Sequence, residues 1–257
     1  MSGALQPDLA DVRRLEAAGF RAWPAATARY DGTWMVRLTG GHPSGRLNSI
    51  NPMDPADYHQ LDERIDRLSQ YFHEHGRTPT FRLTPLSAPQ IAHRLDELGW
   101  TFVKPTIVMR LPLTADALAT AEDLVPTDDI DRYVEASVVT HGDDPAIKPG
   151  LRQVLEAIKP DRGLFILGQD GNPVSSALCV RDGDLAGLFN VATAGHMRSR
   201  GLGRRLILSA LKWAFARGAR QAYLQVEENN EAAIQLYRAL GFSDGYRYVY
   251  RQPQDQA

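Results

Sequence analysis

Two segments in the C-terminal half of the sequence combine residue types that can bind an anion and move a proton. The first, residues 198–205, reads Arg-Ser-Arg-Gly-Leu-Gly-Arg-Arg. Glycine removes side chains where a ligand must approach the backbone, and the first turn of a helix offers N–H groups that have no partner within it. Together with the helix dipole and the arginines, this arrangement is suited to a phosphate or pyrophosphate. An isolated segment of this kind is more often a solvated basic helix start.

The second segment, residues 225–242, begins Gln-Val-Glu-Glu-Asn-Asn and ends Leu-Gly-Phe. A strand ends at its beginning, Asn230 caps a helix, and Gly241 ends that helix. Tyr237 lies two turns into the helix, where its hydroxyl could protonate a leaving group. A Leu-Tyr pair at this spacing is also common in ordinary core packing.

Hydrophobic periodicity predicts the elements that position these segments. It predicts strands at 163–168, 174–180, 185–192, 222–226 and 246–250, a turn at Asn172-Pro173, and helices at 202–217 and 231–240. The second half of the chain is therefore expected to be an α/β (α+β) unit.

An internal repeat relates the two halves of the chain. Leu98-Gly99-Trp100 matches Leu240-Gly241-Phe242 at an offset of 142 residues, and the same offset aligns Phe81 with Tyr223. We therefore predict two similar units, 1–113 and 114–257, joined near 111–127. Each is expected to be a mixed, mostly antiparallel twisted sheet flanked by helices. The alternative is two unrelated domains that share glycine positions.

In this order, the two segments resemble the GNAT superfamily of acetyl-CoA-dependent N-acetyltransferases over residues 127–251. The resemblance implies a cleft between two diverging strands, acetyl-CoA as co-substrate, and direct attack by an amine in a ternary complex. It implies a strand edge that meets the pantetheine, a pyrophosphate loop, a contact to the cofactor arm, and an acid for the departing thiolate. The resemblance places the strand edge at Val191, Ala192 and Thr193, and the contact to the cofactor arm at Asn230. It makes Tyr237 the acid. The pyrophosphate loop would consist of Arg198, Ser199, Arg200, Gly201, Leu202, Gly203 and Arg204.

The sequence departs from the family pattern at Gln225, where many members have a glutamate that deprotonates the amine. Glu227 lies on the same face of the strand and could act through a water, as could Asp143 or Asp144. Glu227 could equally be part of a solvated strand end. The departure also leaves open a non-catalytic acyl-CoA-binding or regulatory module, or a protein-interaction module.

The first half lacks the residues that the resemblance makes functional in the second. The offset of 142 places Ala56, His59 and Leu61 at the positions of Arg198, Gly201 and Gly203, and Leu95 and Ala88 at those of Tyr237 and Asn230. This pattern resembles a tandem GNAT protein with a degenerate N-terminal half, and residues 40–49 resemble a recurring segment of that group. We expect this half to cover one side of the cleft and to shape the acceptor pocket.

The composition argues against several other classes of protein. The chain has 257 residues, a net charge of -2, 43% hydrophobic residues and a single cysteine. These values give no basic field for nucleic acid or an anionic membrane and no disulfide framework. His73 and His75 have no third ligand at a metal spacing, so we expect no metal. Without a signal peptide or an apolar span, a soluble cytoplasmic protein is expected. The sequence leaves the amine acceptor and the oligomeric state open.

Overall fold

A ten-stranded mixed sheet is the centre of the computed structural model, which describes residues 7–254. The strands are β1 (Thr27–Asp31), β2 (Trp34–Leu38), β3 (Ser49–Pro52), β4 (Phe81–Leu83), β5 (Thr101–Pro112), β6 (Asp161–Gln169), β7 (Asn172–Asp182), β8 (Leu185–Thr193), β9 (Gln221–Glu227) and β10 (Ser243–Gln252). The helices are α1 (Leu9–Ala22), α2 (Leu61–Glu74), α3 (Pro89–Glu97), α4 (Ala115–Leu118), α5 (Ile130–His141), α6 (Lys148–Ala157), α7 (Leu202–Ala216) and α8 (Glu231–Ala239). Short 3-10 turns lie at Gly45–Leu47, Pro145–Ile147 and Gly195–Met197.

The predicted α/β class is confirmed, and so is the order of the elements predicted from residue 163 onward, although α4, α5 and α6 were not predicted. The predicted turn at Asn172-Pro173 is wrong. The turn is Asp170-Gly171, with φ of 51° and 82°, and Asn172 and Pro173 belong to β7. Two left-handed residues suit the tight turn of a hairpin, for which Asp-Gly is a favoured pair. Pro173 is tolerated in the strand because the pairing of β6 with β7 shifts register beside it.

The last strands of the two halves lie side by side in the middle of the sheet. The strand order is β1-β2-β3-β4-β10-β5-β9-β8-β7-β6. The pairs β3–β4 and β8–β9 are parallel, and the other neighbouring pairs are antiparallel. Each half therefore receives a strand from the other, and the two predicted units share one continuous sheet. The outermost residues of those predicted units, 1–6 and 255–257, lie outside the described residues.

The segment predicted as a linker, 111–127, begins in β5 and contains the short helix α4, which Thr114 caps. Leu118 and Leu113 are buried there in the core of the second half. The segment is therefore packed against the sheet, and the division at 113/114 stays a prediction.

The two faces of the sheet are covered differently. Side chains alternate along β5, so that Ile107 and Met109 join the core that includes residues of α7 and α8, whereas Val108 joins the opposite core. That opposite core also holds residues of α1, α5 and α6, so the two halves share one helical layer. Helices α2 and α3 contribute to a third core, with β2, β3 and β4.

A buried ion pair ties α1 to strands from both halves. Glu16 in α1 pairs with Arg82 in β4, and each residue is 2% exposed. The Tyr246 hydroxyl in β10 donates to Glu16 Oε1 over 2.6 Å. Burying two charges is favourable only when each keeps its partner, so this contact holds the N-terminal helix in one position.

No helix within residues 7–254 is long and apolar enough to cross a membrane.

We expect Glu16→Gln to lower the free energy of unfolding by about 3–5 kcal/mol, because it leaves the Arg82 charge buried without a partner. The control is Asp131→Asn, which removes an exposed pair with Arg152 and should lower the free energy of unfolding far less. Urea unfolding of the two variants measures the difference. Equal destabilisation by both would show that the buried pair has no special role.

Candidate active site

Two neighbouring parallel strands of the second half separate part-way along their length. Strands β8 and β9 pair from Leu185–Gln221 to Leu188–Leu224. Beyond that point β8 continues to Thr193 and β9 to Glu227 without pairing to each other. Where two facing strands do not pair, their backbone N–H and C=O groups need other hydrogen-bond partners. An extended ligand could therefore pair with them.

A β-bulge lies in β8 where the strands separate. Ser176 pairs with Ala192 and Leu178 with Phe189, so β8 has one residue more than β7 over this stretch. Asn190 has a φ of 49°, and its side-chain amide donates to Ser137 Oγ over 2.6 Å. A bulge turns the backbone away from the regular ladder. Here it redirects the strand just before Val191.

The separated strands open into a cleft of about 980 Å³ that is lined by both halves of the chain. One wall is formed by Trp23 and residues 42–46, and another by His141, Asp143, Asp144 and α6. The remaining lining includes Val191, Gln225, Glu227, Asn230 and Tyr237. The first half therefore forms part of the cleft wall, beside the residues that the sequence singled out in the second half.

A contact between two glycines holds that wall in place. A Cβ at Gly150 in α6 would lie 2.2 Å from the carbonyl oxygen of Gly41, so only glycine allows this approach. Asn48 fixes the rest of the segment, since its side-chain amide donates to the carbonyls of His42 and Ser44. The wall is thus packed against α6 and has a defined backbone.

Tyr237 is a buried tyrosine at the cleft. It is 8% exposed and packs edge-on against Phe242, with ring centres 5.8 Å apart. Burial raises the pKa of Tyr237 to about 12, although the positive charge of Arg46 opposes this rise. The phenol is therefore protonated at neutral pH, as a proton donor must be.

Gln225 and the predicted carboxylates occupy different surroundings. The Gln225 side-chain oxygen accepts a hydrogen bond from the Tyr248 hydroxyl over 2.9 Å. Glu227 is exposed at the end of β9, and Asp144 caps a 3-10 turn through the Ala146 amide. Glu227, Asp143 and Asp144 all line the cleft, so none of the predicted bases is separated from it.

His141 at the end of α5 also lines the cleft, and the sequence analysis did not identify it. Its Nδ1 lies 2.9 Å from the carbonyl oxygen of Ser137. A carbonyl only accepts, so Nδ1 carries the proton, and in the neutral ring Nε2 is the free acceptor. His141 therefore offers a nitrogen that could take a proton.

The cleft contains a second histidine and an arginine that the sequence analysis did not single out as site residues. Burial and the charge of Arg46 lower the pKa of His42 to about 4, so His42 is neutral. His42 and Arg46 lie about 180 residues before the Gln225–Tyr237 segment, and Trp23 lies further away still. The only signal for His42 and Arg46 was their place in the recurring segment at 40–49, and no signal pointed to Trp23, because the motifs of the second half do not predict long-range contacts.

The arginine- and glycine-rich segment precedes and begins α7, as predicted. Ser199 and Gly201 have φ of 60° and 75°, and in the part of the chain that the structure describes no side chain caps the helix. A Cβ at Gly203 would lie 3.3 Å from Thr193 Oγ1, so this turn lies directly against the end of β8. The first turn of α7 therefore presents free N–H groups near the open strand edge.

Three arginines around this turn have charges that no carboxylate within residues 7–254 neutralises. They are Arg198, Arg200 and Arg204, all exposed. Arg205 differs, since it pairs with Glu122. The uncapped amides and the guanidinium groups without a carboxylate partner form a region suited to an anion. Residues 198–204 lie next to the cleft but outside its lining.

The other predicted cofactor residues connect these two regions. Val191, Ala192 and Thr193 are half-buried, and the Ala192 carbonyl is already used by Ser175 Oγ, at 2.6 Å. Thr193 contacts the turn through Arg198, whose Nε lies 3.3 Å from its carbonyl oxygen. Asn230 caps α8 by accepting from the Ala233 amide and also lines the cleft.

Cys179 is not a candidate nucleophile, because burial raises the pKa of its thiol to about 12. A buried thiol of this kind stays protonated and unreactive. Among residues 7–254, no group of three or more His, Cys, Asp or Glu side chains is arranged to hold a metal ion.

Comparison with known proteins gives matches along nearly the whole chain. The family model described as "Probable histone acetyltransferase Rv0428c C-terminal" matches residues 9–251. The uncharacterized N-acetyltransferase YobR of Bacillus subtilis is 24% identical over 247 residues, which is 94% of this chain and 98% of that protein. The [ribosomal protein bS18]-alanine N-acetyltransferase of Escherichia coli is 36% identical over 80 residues, or 31% of this chain and 54% of that enzyme.

Solved structures share the fold at low sequence identity. A GCN5-related N-acetyltransferase from Kribbella flavida has a TM-score of 0.69 at 19% identity, covering 94% of this chain and 95% of the other. A tandem GNAT protein from the clavulanic acid biosynthesis pathway has a TM-score of 0.61 at 16% identity, covering 95% and 89%. The family match covers far more than half of the chain, so the protein belongs to the Rv0428c C-terminal family and is an acetyltransferase of the GNAT type.

Proposed function

We propose that the protein transfers an acetyl group from acetyl-CoA to an amine by direct attack in a ternary complex. The observation that carries the proposal is the separation of β8 from β9, with an uncapped cationic helix start on one side and the buried Tyr237 on the other. This arrangement suits a long ligand with an anionic end and a reactive end.

The residues present fit coenzyme A. Amides at the start of α7 and the side chains of Arg198, Arg200 and Arg204 would hold the pyrophosphate. The open edge of β8 from Val191 to Thr193 would pair with the pantetheine. Bound there, acetyl-CoA supplies a thioester whose carbonyl is open to attack.

Residues around the separated strands would promote the transfer. The backbone N–H of Val191, redirected by the bulge, would stabilise the negative charge that develops on the carbonyl oxygen. Tyr237 would donate its proton to the departing thiolate. No covalent enzyme intermediate is needed, in keeping with the buried and protonated Cys179.

The amine must lose a proton, and Gln225 cannot accept it. We propose Glu227, acting through a water, as the base, because it lies two residues further along β9 and lines the cleft. His141, with Nε2 free, is the second candidate. The relatives named as N-acetyltransferases, one of them for an alanine of ribosomal protein bS18, support an amine as acceptor.

We further propose that the N-terminal half is a GNAT-like unit that no longer binds the cofactor. The strand order reads as two five-strand sets, and α3 and α8 have bounds that differ by 142 residues at both ends. Gly201 precedes α7, whereas Gln60 precedes α2, which has Asp62 and Glu63 in its first turn. Carboxylates there would repel a pyrophosphate.

The rival function is a non-catalytic acyl-CoA-binding or regulatory module, which the absence of a glutamate at position 225 favours. The experiment that separates the two follows release of free coenzyme A while a panel of amines is added to the protein and acetyl-CoA. Turnover with any amine supports transfer. Binding of acetyl-CoA with no turnover across the panel supports the rival.

The first variant tests the anion site. Gly203→Val should raise the Kd for acetyl-CoA at least about tenfold, or about 1.4 kcal/mol, because the new side chain meets Thr193 where the ligand must pass. Gly40→Val is the control, since a Cβ at Gly40 meets nothing within 4 Å. Calorimetric titration measures both, and an unchanged Kd in Gly203→Val would remove this turn from the binding site.

The second variant tests the acid. Tyr237→Phe should lower kcat about 10²- to 10⁴-fold while leaving the Kd for acetyl-CoA nearly unchanged, since only proton donation is lost. Tyr30→Phe, at a tyrosine that is 66% exposed on β1, is the matched control. If Tyr237→Phe keeps the wild-type kcat, Tyr237 is not the acid and only packs in the core.

The third test uses the pH profile of kcat/KM. The wild-type kcat/KM should rise with pH as the acceptor amine loses its proton, because only the neutral amine can attack the thioester. At pH values up to 10, kcat/KM should not decrease, because Tyr237, with a pKa of about 12, stays protonated over this range. Glu227→Gln should lower kcat/KM about 10²-fold or more across this pH range. If Glu227→Gln keeps the wild-type kcat/KM and its pH profile, Glu227 is not the base. A loss of about 10²-fold in His141→Gln would then identify His141 as the base.

A further inference from the structure

The wall of the cleft that comes from the N-terminal half carries a positive charge without a counter-ion. Arg46 lies in the 3-10 turn Gly45–Leu47, is half-buried, and lines the cleft. No carboxylate within residues 7–254 lies within ion-pair distance of its guanidinium group. A cation in such a place is suited to a negatively charged ligand group.

The position of Arg46 is fixed by its neighbours. Its carbonyl accepts a hydrogen bond from Arg37 Nη1 over 2.5 Å. Its guanidinium carbon lies 5.7 Å from the ring centre of Trp23 and 5.5 Å from that of Phe189. Contacts with aromatic rings orient the guanidinium group but leave its charge and its N–H donors available. The group is therefore held in place before any ligand binds.

The structure below Arg46 adds to the positive charge. A cavity of about 10 Å³ beneath the cleft is lined by Arg37, Arg46 and Arg82, with Glu16 as the single carboxylate in its lining. Arg37 is 3% exposed and donates to carbonyls rather than to a carboxylate. Burial and the charge of Arg82 lower the pKa of Arg37 to about 9. The residues that line this small cavity therefore have a net positive charge, which an anion bound in the cleft would balance.

Arg46 also lines the same cleft as the residues proposed to act on the acetyl group. Its charge acts on Tyr237, the proposed acid, as well as on His42 and Tyr250. The adjoining wall has Asp143 and Asp144, whose charges suit an amine that is protonated on arrival. The cleft thus has a cation on one wall and carboxylates on another, both within the same volume.

We propose that the acetyl acceptor is an amino acid or a similar amine with a carboxylate, and that Arg46 binds that carboxylate so that the amine faces the thioester. This inference rests on the proposed acetyl transfer and names its substrate class. Selection of the acceptor would then be a task of the N-terminal half, which contributes Arg46 but none of the groups that act on the acetyl group.

The experiment measures coenzyme A release with matched pairs of acceptors: L-leucine and L-leucinamide, and L-phenylalanine and L-phenylalaninamide. Members of a pair share the amine and differ in the carboxylate. Wild type, Arg46→Met, Arg46→Lys and Arg132→Met are compared. Arg132 is exposed on α5, outside the cleft lining, and serves as the control. Because each variant is compared with wild type on the same pair, differences in intrinsic amine reactivity cancel.

We expect Arg46→Met to lower the acid-to-amide ratio of kcat/KM about 10- to 100-fold, through a higher KM for the acids, so that the acids lose far more activity than the amides. Arg46→Lys should keep part of the preference, and Arg132→Met all of it. Melting temperatures of the variants near that of wild type exclude loss of folding as the cause, and retention of the preference in Arg46→Lys shows that charge is responsible.

Several results would overturn the inference. An equal loss on acids and amides would assign Arg46 to the departing thiolate, and a raised Kd for acetyl-CoA would assign it to the cofactor phosphates. Acetyl-CoA binding with turnover of amides alone, or of neither member of any pair, would also contradict it. Failure of wild type to bind acetyl-CoA would instead contradict the proposed function itself.

Discussion

The antiparallel pairing of β5 with β10 is the contact on which the rest of the structure depends. It runs from Thr101–Gln252 to Ser243–Arg110, with two register shifts, and joins the final strands of the two halves of the chain. Because β10 also pairs with β4, and β5 with β9, this pairing makes one sheet of ten strands. It also brings the wall at residues 42–46 over the opening in the other half.

The opening itself depends on irregular backbone in a regular sheet. A left-handed non-glycine residue is unfavourable by about 1–2 kcal/mol. At Asn190 the bond to Ser137 and the packing of α5 offset that cost. The same bond connects the bulge to the helix that ends at His141. The Asn190 side chain thus links the backbone bulge that opens the strands to the helix that carries His141.

Local signals in the sequence predicted much of the second half. The helix that starts at Leu202, the cap at Asn230 and the strands around them were predicted within a few residues, because caps, glycine stops and periodicity act over short distances. The exchange of β5 and β10 was not predicted, since strand partners are chosen over long distances. For the same reason Arg46, Trp23 and His141 were not placed in the cleft, although segment 40–49 was singled out.

The exchange of final strands has a consequence for how the chain can be divided. If the chain were cut after Pro112, the first fragment would keep β5, whose neighbours β9 and β10 both lie in the second fragment. Neither fragment could complete its own sheet, and each would expose an edge that the other fits. Such fragments are suited to reassembly in trans, in the manner of a split reporter, with the cleft restored only in the reassembled heterodimer.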